Sequence, residues 1–258
     1  MLRRRLINPI AILFVLVLAI VAFFNPIPWW TFALLILVWF IITLCGSFFV
    51  GWNYHVISLN NNKEISNTWV SITFDDGPNS EFTPKVLELL EAYGAKATFF
   101  CIGKQVEDHP DIVLQILEEG HSIGNHTYSH SKSFGFFSSE KVIAELNSTK
   151  NIVKSLTDRQ MMLYRPAFGV TNPQIEKAVK HLGLHSIGWS VRSLDTTSRS
   201  EARIFNRIAT KVKKGDIILL HDTSDKTVGV LERLLVILQH KNLQSVPVEQ
   251  LLEIDAYD

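Results

Sequence analysis

The sequence predicts an α/β fold in which a mainly parallel sheet closes into an irregular (β/α) barrel of about seven strands, preceded by an N-terminal transmembrane helical hairpin. Strand-like and helix-like patterns alternate about seven times after residue 68, which is typical of a parallel sheet with helices outside it. Residues 6–50 contain no charged side chain, which favours the hairpin. A doubly wound open sheet is the alternative. In either arrangement, functional groups are expected at the C-terminal ends of the strands.

The N-terminal region contains two stretches that could each cross a membrane. Residues 6–24 and 29–50 are close to the roughly 20 residues that span a hydrocarbon core, and Trp29 and Trp30 lie where an interfacial aromatic belt is expected. A cleaved signal peptide is the competing interpretation. It is less favoured because the second apolar stretch follows directly and no small-x-small cleavage site stands out. We therefore assign residues 1–50 to two transmembrane helices.

The side of the membrane on which the following domain lies is predicted from the charges that flank the hairpin. Arg3, Arg4 and Arg5 precede the first apolar stretch, and the positive-inside rule favours the cytoplasm for them. A two-span hairpin then returns the following domain to the cytoplasmic face. An inverted hairpin, a re-entrant second segment or cleavage would place the domain outside, so the side stays open.

Composition excludes some classes of function. The chain has 25 basic and 25 acidic side chains, and this balance argues against an electrostatic nucleic-acid binder. Cys45 and Cys101 lie in apolar surroundings, so neither a disulfide framework nor a cysteine metal site is expected.

The remaining chain divides into a polar linker and one domain. Residues 51–67 are Asn-rich and are predicted to be the linker, and residues 68–258 are predicted to form one folded domain. Strands are predicted at 70–75, 97–102, 122–125, 162–165, 185–189, 216–221 and 244–246. Helices are predicted at 83–93, 110–119, 139–156, 173–182, 199–212 and 227–241.

The first strand of this domain ends on two adjacent acids, Asp75 and Asp76, before a Gly-Pro breaker. Two like charges at a buried strand end resist ionising together unless a metal, an Arg or a shared proton separates their roles. The pair therefore indicates a functional site. The alternative is a solvated Asx-type turn.

A histidine pair, His126 and His130, follows the strand predicted at 122–125. On a helical turn the two side chains would share a face and reach one ion. Two His and one carboxylate leave coordination positions open for water and substrate, as a catalytic zinc requires, and Asp76 is the obvious third ligand. The alternative is two solvated loop histidines.

Three further polar residues follow predicted strands: Arg165, Asp195 and His221. An Arg at a strand end can hold a carboxylate ionised and oriented, unless it is a surface Arg before an ordinary turn. Asp195 could instead cap the next helix. A lone His at the end of an apolar strand is more often structural than catalytic.

Four short motifs occur in order: Thr73-Phe74-Asp75-Asp76-Gly77, His126-Thr127-Tyr128-Ser129-His130, Arg165-Pro166-Ala167-Phe168-Gly169 and Leu219-Leu220-His221-Asp222. Together they resemble the motifs of the NodB-homology polysaccharide deacetylases, a family of the carbohydrate esterase type. The resemblance covers about residue 70 to the end of the chain. Each motif alone is weak evidence, whereas the ordered set is specific.

The resemblance implies a metal site and a base. Asp76, His126 and His130 would hold a divalent metal, usually Zn²⁺ in such enzymes, although other divalent transition metals serve in some. Asp75 would be the general base that takes a proton from the attacking water. Arg165 would orient Asp75.

The resemblance also implies an acid and a substrate pocket. His221 would be the general acid that protonates the leaving amine, and Asp195 would pair with it and keep it protonated. Leu219 would line the pocket for the acyl methyl group. The backbone N–H of Phe168 would stabilise the oxyanion.

The chain departs from the family pattern around its fourth polar cluster. Arg192 stands where the family has an acid, and Thr196 stands where it has a groove-lining Trp. These changes concern substrate recognition more than chemistry. We hypothesise that Arg192 meets an anionic group such as a lipid-linked phosphate.

These observations predict a membrane-anchored, metal-dependent hydrolase that removes an N-acetyl group from amino sugars of a polysaccharide or a lipid-linked glycan. The expected partners are that glycan and the membrane, with no nucleic acid. Alternatives are an O-acetyl esterase or a deformylase acting on a lipid-linked sugar. A non-catalytic glycan-binding membrane protein is a third, from a different class.

Overall fold

A parallel sheet surrounded by helices forms the larger part of the molecule, and it follows an apolar helical hairpin. The computed structural model describes residues 3–258, so the first two residues of the predicted 1–50 segment lie outside the described residues. The helices of this part of the chain are α1 (Arg4–Phe24), α2 (Trp30–Phe48), α3 (Thr83–Ala92), α4 (Gly103–Asp108), α5 (Pro110–Glu118), α6 (Ser139–Thr157), α7 (Pro173–His181), α8 (Glu201–Ala209), α9 (Asp225–His240) and α10 (Val248–Leu252). The strands are β1 (Ser58–Leu59), β2 (Trp69–Asp75), β3 (Ala97–Cys101), β4 (Ser122–Asn125), β5 (Leu163–Tyr164), β6 (His185–Ile187), β7 (Val191–Arg192), β8 (Ile217–His221) and β9 (Gln244–Ser245).

The strands pair in the order β1-β6-β5-β4-β3-β2-β8-β7, and β9 also pairs with β2. Every one of these strand pairs is parallel. Residues 185–192 form one short stretch, yet its β6 half pairs with β5 and its β7 half pairs with β8, so the sheet curls back toward itself. The predicted α/β class with an irregular curled sheet is confirmed.

The inner and outer faces of β2 differ in polarity. Ile72 and Phe74 pack in the apolar core between sheet and helices. The alternate residue Thr73 is fully buried, and its hydroxyl donates to the carbonyl of Ile218 at 2.7 Å. Because successive strand residues point to opposite faces, the face that carries Thr73 also carries Asp75. The inside of the curled sheet is therefore polar at this strand.

Residues 51–67, predicted to be a linker, are partly incorporated in the sheet. Ser58 and Leu59 of β1 pair with β6, and the Asn62 N–H donates to the carbonyl of Gly215 at 2.9 Å. A two-residue strand is too short to produce a periodic pattern, so its pairing depends on the edge that β6 offers. The same reason explains β7, and these two strands account for nine strands where the pattern indicated about seven.

Both helices of the N-terminal hairpin are long and apolar enough to cross a membrane. Their 18-residue windows have a mean hydropathy of 2.9 for α1 and 2.3 for α2, and 0% and 6% of those windows are buried, so neither is a core helix of the domain. The start of α1 contacts both the segment after α2 and the domain, because the Arg4 N–H donates to the carbonyl of Tyr54 at 3.0 Å and the Arg4 Nη2 donates to the Glu176 Oε2 at 2.9 Å. The start of α1 and the end of α2 therefore lie on the same side of the hairpin as the sheet domain.

Candidate active site

The polar strand ends converge at one edge of the sheet. In the strand register, Asp75 of β2 lies opposite His221 of β8 on one side and Phe100 of β3 on the other. Asn125, just before His126, lies opposite Cys101 and Tyr164 on the neighbouring strands. The carboxyl ends of parallel strands thus bring together polar groups that are as many as 146 positions apart in the chain, as between Asp75 and His221.

The two acids point to different partners. Asp75 ends β2 with its side chain 6% exposed, whereas Asp76 has a φ of 76° and a side chain that is 28% exposed. A regular strand would send adjacent side chains to opposite faces. The left-handed conformation at Asp76 interrupts that alternation and turns its carboxylate toward the histidine pair. The charges are therefore divided between two environments.

Asp76, His126 and His130 form a compact donor set. The Asp76 Oδ1 lies 3.4 Å from the Nε2 of His126 and 3.4 Å from the Nε2 of His130. One ligand atom from each residue lies within 4.8 Å of the others. The prediction that the two histidines share a helical turn is wrong. They lie on a loop, with φ values of 69° at Thr127 and 45° at His130.

The loop that carries the histidines is fixed by hydrogen bonds that its N–H groups and one hydroxyl donate to two acceptors. The Asn125 Oδ1 accepts from the Thr127 N–H at 2.9 Å. The Glu145 carboxylate of α6 accepts from the N–H groups of Tyr128 at 3.2 Å and Ser129 at 2.8 Å, and from the Ser129 hydroxyl. The sequence analysis missed Glu145. A single carboxylate on an amphipathic helix gives no local sign that a loop 16 residues earlier depends on it.

The chemistry of this donor set fits a divalent cation. The Nδ1 of His126 lies 3.0 Å from the carbonyl oxygen of Arg165, which can only accept, so that Nδ1 carries the proton and Nε2 presents a lone pair to the cluster. The Asp76 Oδ1 is buried without a hydrogen-bond partner. Burial raises the pKa of Asp76, but the adjacent imidazoles of His126 and His130 outweigh it and lower the pKa to about 2. The carboxylate is ionised and available as a ligand.

Arg165 is fully buried and joins the base candidate to the sheet. Its Nη1 donates to the Asp75 Oδ1 at 2.8 Å and to the Thr73 hydroxyl at 2.7 Å. Its Nη2 and Nε donate to the carbonyls of Gly188 at 2.9 Å and Ile187 at 3.3 Å. The guanidinium also lies 4.0 Å from the ring centroid of Phe100. Arg165 therefore holds one oxygen of Asp75 and leaves the other directed toward the histidine cluster, 3.9 Å from the Nε2 of His126.

His221 is paired with Asp195 on the opposite flank. The Nδ1 of His221 lies 2.8 Å from the Asp195 Oδ1, and the His221 N–H donates to the Asp195 Oδ2 at 2.8 Å. Hydroxyls of Ser193 and Thr227 complete the acceptor capacity of the carboxylate. Burial lowers the pKa of His221, but the hydrogen bond and charge of Asp195, with the charges of Asp75 and Asp76, raise it to about 9. His221 is thus protonated at neutral pH.

The other predicted residues lie around this edge. Phe168 is 49% exposed with a φ of 58°, and its ring centroid is 4.3 Å from that of His130. Leu219 is buried two residues before His221 on β8, so both point to the same face of the strand. Arg192 is exposed, and its guanidinium lies 5.6 Å from the ring centroid of Trp189.

Asp222 is a buried acid to which the sequence analysis assigned no role. It accepts a hydrogen bond from the Thr83 hydroxyl, and burial raises its pKa to about 7 even though this bond opposes the shift. A Cβ added at Gly77 would lie 2.3 Å from the Asp222 Oδ2, so the carboxyl packs directly on the turn that follows Asp76. Its place directly after His221 in the last motif is the only sequence signal for it.

Comparison with known proteins gives a consistent result. Residues 62–187 match a family model described as polysaccharide deacetylase. A peptidoglycan-N-acetylglucosamine deacetylase of Bacillus cereus is 36% identical over 197 residues, which cover 74% of this chain and 90% of that protein.

Solved structures agree with the fold. A peptidoglycan N-acetylglucosamine deacetylase has a TM-score of 0.72 at 30% identity, with 77% of this chain and 94% of that chain covered. A family 4 carbohydrate esterase pseudoenzyme from Bacillus anthracis has a TM-score of 0.69 at 23% identity, with 76% of this chain and 68% of that chain covered, and it shares the fold alone. The fold by itself therefore does not establish activity. Activity depends on which side chains are present at the strand ends.

Proposed function

The chain belongs to the polysaccharide deacetylase family, and from this membership we propose that it hydrolyses the N-acetyl group of amino sugars in peptidoglycan or in a lipid-linked precursor of it. The observation that carries the proposal is the division of the adjacent acids. Asp76 faces two imidazoles, and Asp75 faces a buried guanidinium. Amide hydrolysis needs an activated water, a stabilised oxyanion and a proton for the leaving amine, and this arrangement offers a group for each.

The first half of the reaction uses the donor set and the base. Asp76, His126 and His130 would hold a divalent cation, with Zn²⁺ favoured by two nitrogen ligands and one oxygen ligand. A cation held there supplies Lewis acidity toward a water molecule and toward the amide carbonyl. Asp75 accepts the proton of the attacking water at its free oxygen. Arg165 fixes the orientation of Asp75 through the other oxygen.

The second half of the reaction uses His221 and Asp195, on the opposite flank of the site. His221, protonated and oriented by Asp195, gives its Nε2 proton to the leaving nitrogen as the carbon–nitrogen bond breaks. The backbone N–H of Phe168 donates to the tetrahedral oxyanion. Leu219 lines the space for the acetyl methyl group.

The finer features of the substrate are proposed from position. The apolar hairpin of α1 and α2 anchors the enzyme in a membrane, so a membrane-bound glycan lies within reach. Arg192, exposed at the end of β7, meets an anionic part of that glycan. If Arg192→Ala left the preference between neutral and phosphate-bearing substrates unchanged, this role of Arg192 would be wrong.

Acetate release by the full-length chain in detergent tests the proposed reaction. The substrates are N-acetylglucosamine oligomers and peptidoglycan fragments, and the protein is first stripped of metal by a chelator. We expect activity to return with Zn²⁺ and to fall by at least about a hundredfold in Asp75→Asn, because the variant lacks the base. Asp111→Asn, which neutralises an acid in the first turn of α5, is the matched control and should retain activity.

The remaining outcomes separate the alternatives. Release of formate, or of acetate from O-acetyl esters only, would favour the deformylase or esterase. Zinc binding without release of any acyl group from these substrates would favour the non-catalytic glycan-binding protein. Failure of zinc to bind would contradict the metal site itself.

A further inference from the structure

A cavity lies where the N-terminal hairpin meets the sheet domain, away from the strand ends. Its volume is about 310 Å³. Its lining combines the start of α1, the segment that follows α2 and one face of α7. Its charged members are four basic residues and one acid: Arg3, Arg4, Arg5, Lys180 and Glu176.

The acid of the cavity is shared by several cations. The Glu176 Oε2 lies 2.9 Å from the Nη2 of Arg4, and its Oε1 lies 3.6 Å from the Nη2 of Arg5 and also pairs with the Nζ of Lys180. One carboxylate therefore neutralises only part of this positive charge. The N-terminus of α1 adds the positive end of its helix dipole and has no acidic residue in its first turn. The electrostatics of the cavity favour an additional anion.

Two buried polar atoms at the cavity are also left without partners. The Nε of Arg4 and the Nδ1 of His55 are buried and make no hydrogen bond within the described residues. His55 is only 6% exposed, and its other ring nitrogen is occupied, since Nε2 lies 3.1 Å from the Ser47 hydroxyl. Buried polar atoms are normally satisfied, so unsatisfied ones at a charged cavity indicate a missing polar ligand.

The position of the cavity along the hairpin suggests the nature of that ligand. Arg4 is joined to Tyr54 by a backbone hydrogen bond, so the start of α1 lies level with the segment that follows α2. At this level the exposed rings of Phe49 and Trp52 stack with their centroids 5.4 Å apart. Exposed aromatic rings next to the end of an apolar helix are typical of the headgroup region of a bilayer. The cavity would therefore lie at the depth of the lipid phosphates.

We propose that this cavity binds the phosphate-bearing headgroup of an anionic phospholipid. The proposal rests on the proposed membrane anchoring of the hairpin but not on the proposed catalytic activity. A phosphodiester oxygen would take the place of the missing counter-charge beside Arg4, Arg5 and Lys180. Glu176 would compete with it for the same cations. Binding would tie the sheet domain to the membrane surface through α7.

The test measures lipid affinity of the full-length chain in detergent by native mass spectrometry. Phosphatidylglycerol and phosphatidylcholine with identical acyl chains are compared. We expect preferential retention of phosphatidylglycerol. The double variant Arg5→Gln/Lys180→Gln should weaken it by about 25-fold, or about fivefold per charge, whereas phosphatidylcholine should be unaffected. Both side chains are largely exposed, at 76% and 57%, so their loss should not prevent folding.

The test also includes a matched control and a variant that is expected to raise the lipid affinity rather than lower it. Lys177→Gln/Arg203→Gln removes the same charge from exposed residues outside the cavity and should leave the lipid affinity unchanged. Glu176→Gln should raise the phosphatidylglycerol affinity about fivefold, because it removes the competing carboxylate at nearly constant shape. A gain of affinity cannot result from misfolding.

Three results would overturn the proposal. The first is equal retention of both lipids. The second is weaker phosphatidylglycerol binding by Glu176→Gln, which would mean that the cluster is only a structural ion pair. The third is stabilisation of the protein by millimolar inorganic phosphate to the same extent as by phosphatidylglycerol, which would indicate a site for soluble anions. Extraction of the full-length chain from membranes with carbonate tests the anchor separately, so a failed anchor is distinguishable from a failed lipid site.

Discussion

At the scale of single residues, the site depends on how buried charges are compensated. Arg165 is fully buried, and its three nitrogens donate to Asp75, Thr73 and two backbone carbonyls. A buried charge without such partners would cost several kcal/mol, so Arg165 and Asp75 stabilise each other only as a set. The same set fixes which oxygen of Asp75 is free. Stability and chemistry therefore depend on the same hydrogen bonds.

The pairing of His221 with Asp195 leads to a prediction about how stability and activity depend on pH. The folded pKa of His221, about 9, is above its ordinary value of 6.5. The pair therefore contributes stability that is fully present below pH 6.5 and is lost as the pH rises through about 9. We expect the basic limb of the kcat/KM profile to lie near pH 9 and to move to lower pH in Asp195→Asn, because burial then favours the neutral imidazole.

The pH profile of acetate release checks this expectation. Asp158→Asn, at an exposed left-handed position that Asn tolerates, is the control and should leave the limb in place. A uniform loss of activity in Asp195→Asn, with the limb unmoved, would mean that the titration of His221 does not limit the reaction.

At the scale of elements, the closure of the curled sheet places Arg165. The segment between β6 and β7 supplies the carbonyls of Ile187 and Gly188 to the guanidinium, and the Gly188 N–H donates to the carbonyl of Leu59 on β1 at 2.8 Å. The short edge strand β1 and the short connection after β6 are thus linked to Asp75 through the side chain of Arg165. Strand β1, although only two residues long, belongs to the structure that supports the site.

Gly188 tests this coupling. A Cβ there would lie 2.0 Å from the Asn60 Oδ1 and 2.7 Å from the Val50 Cγ1, so Gly188→Ala must displace these two side chains or the connection itself. We expect a loss of about 1–3 kcal/mol in the free energy of unfolding. Thermal unfolding in detergent should show a midpoint lower by about 2–12 °C, together with reduced acetate release.

Gly51→Ala is the matched control, because a Cβ at Gly51 would meet no atom within 4 Å. An unchanged midpoint in Gly188→Ala would show that the closure is looser than the contacts indicate.

At the scale of the whole molecule, a hairpin that crosses a bilayer as proposed would determine on which side of it the sheet domain lies. Arg4 contacts both Tyr54 and Glu176, so the N-terminal arginines and the sheet domain share one face of any membrane that the hairpin crosses. The positive-inside rule favours the cytoplasm for that face. A cytoplasmic domain would meet membrane-bound precursors, whereas a domain outside would meet the polymer.

Reporter fusions decide between the two sides. We expect a reporter fused after Asp258 and one inserted in the 25–28 turn to be active in opposite compartments, with the reporter after Asp258 in the cytoplasm. A fusion after Asp258 that is active only outside would reverse the orientation and favour the polymer as substrate. Activity of both reporters in the same compartment would contradict the two-span hairpin.

Much of this architecture is determined by the sequence itself. Alternating strand and helix patterns predict the α/β class, because hydrophobic periodicity is a local property of the chain. The long uncharged stretch predicts the hairpin for the same reason. The two adjacent acids, the histidine pair and His221 can be recognised in the sequence because they belong to short motifs that occur in a fixed order. The structure brings such residues together at the strand ends, as the pairing of Asp75 with His221 between β2 and β8 shows.

Only the tertiary structure decides the rest. Strands β1 and β7 exist because neighbouring edges offer hydrogen bonds, and no two-residue pattern reveals this. The loop conformation of His126 and His130 depends on Glu145, and the environment of Asp222 depends on its packing against Gly77 and Thr83. The cavity beside Glu176 forms between segments more than 100 residues apart. Contacts between distant segments depend on how complete elements pack, and that packing is not encoded within any single stretch of the chain.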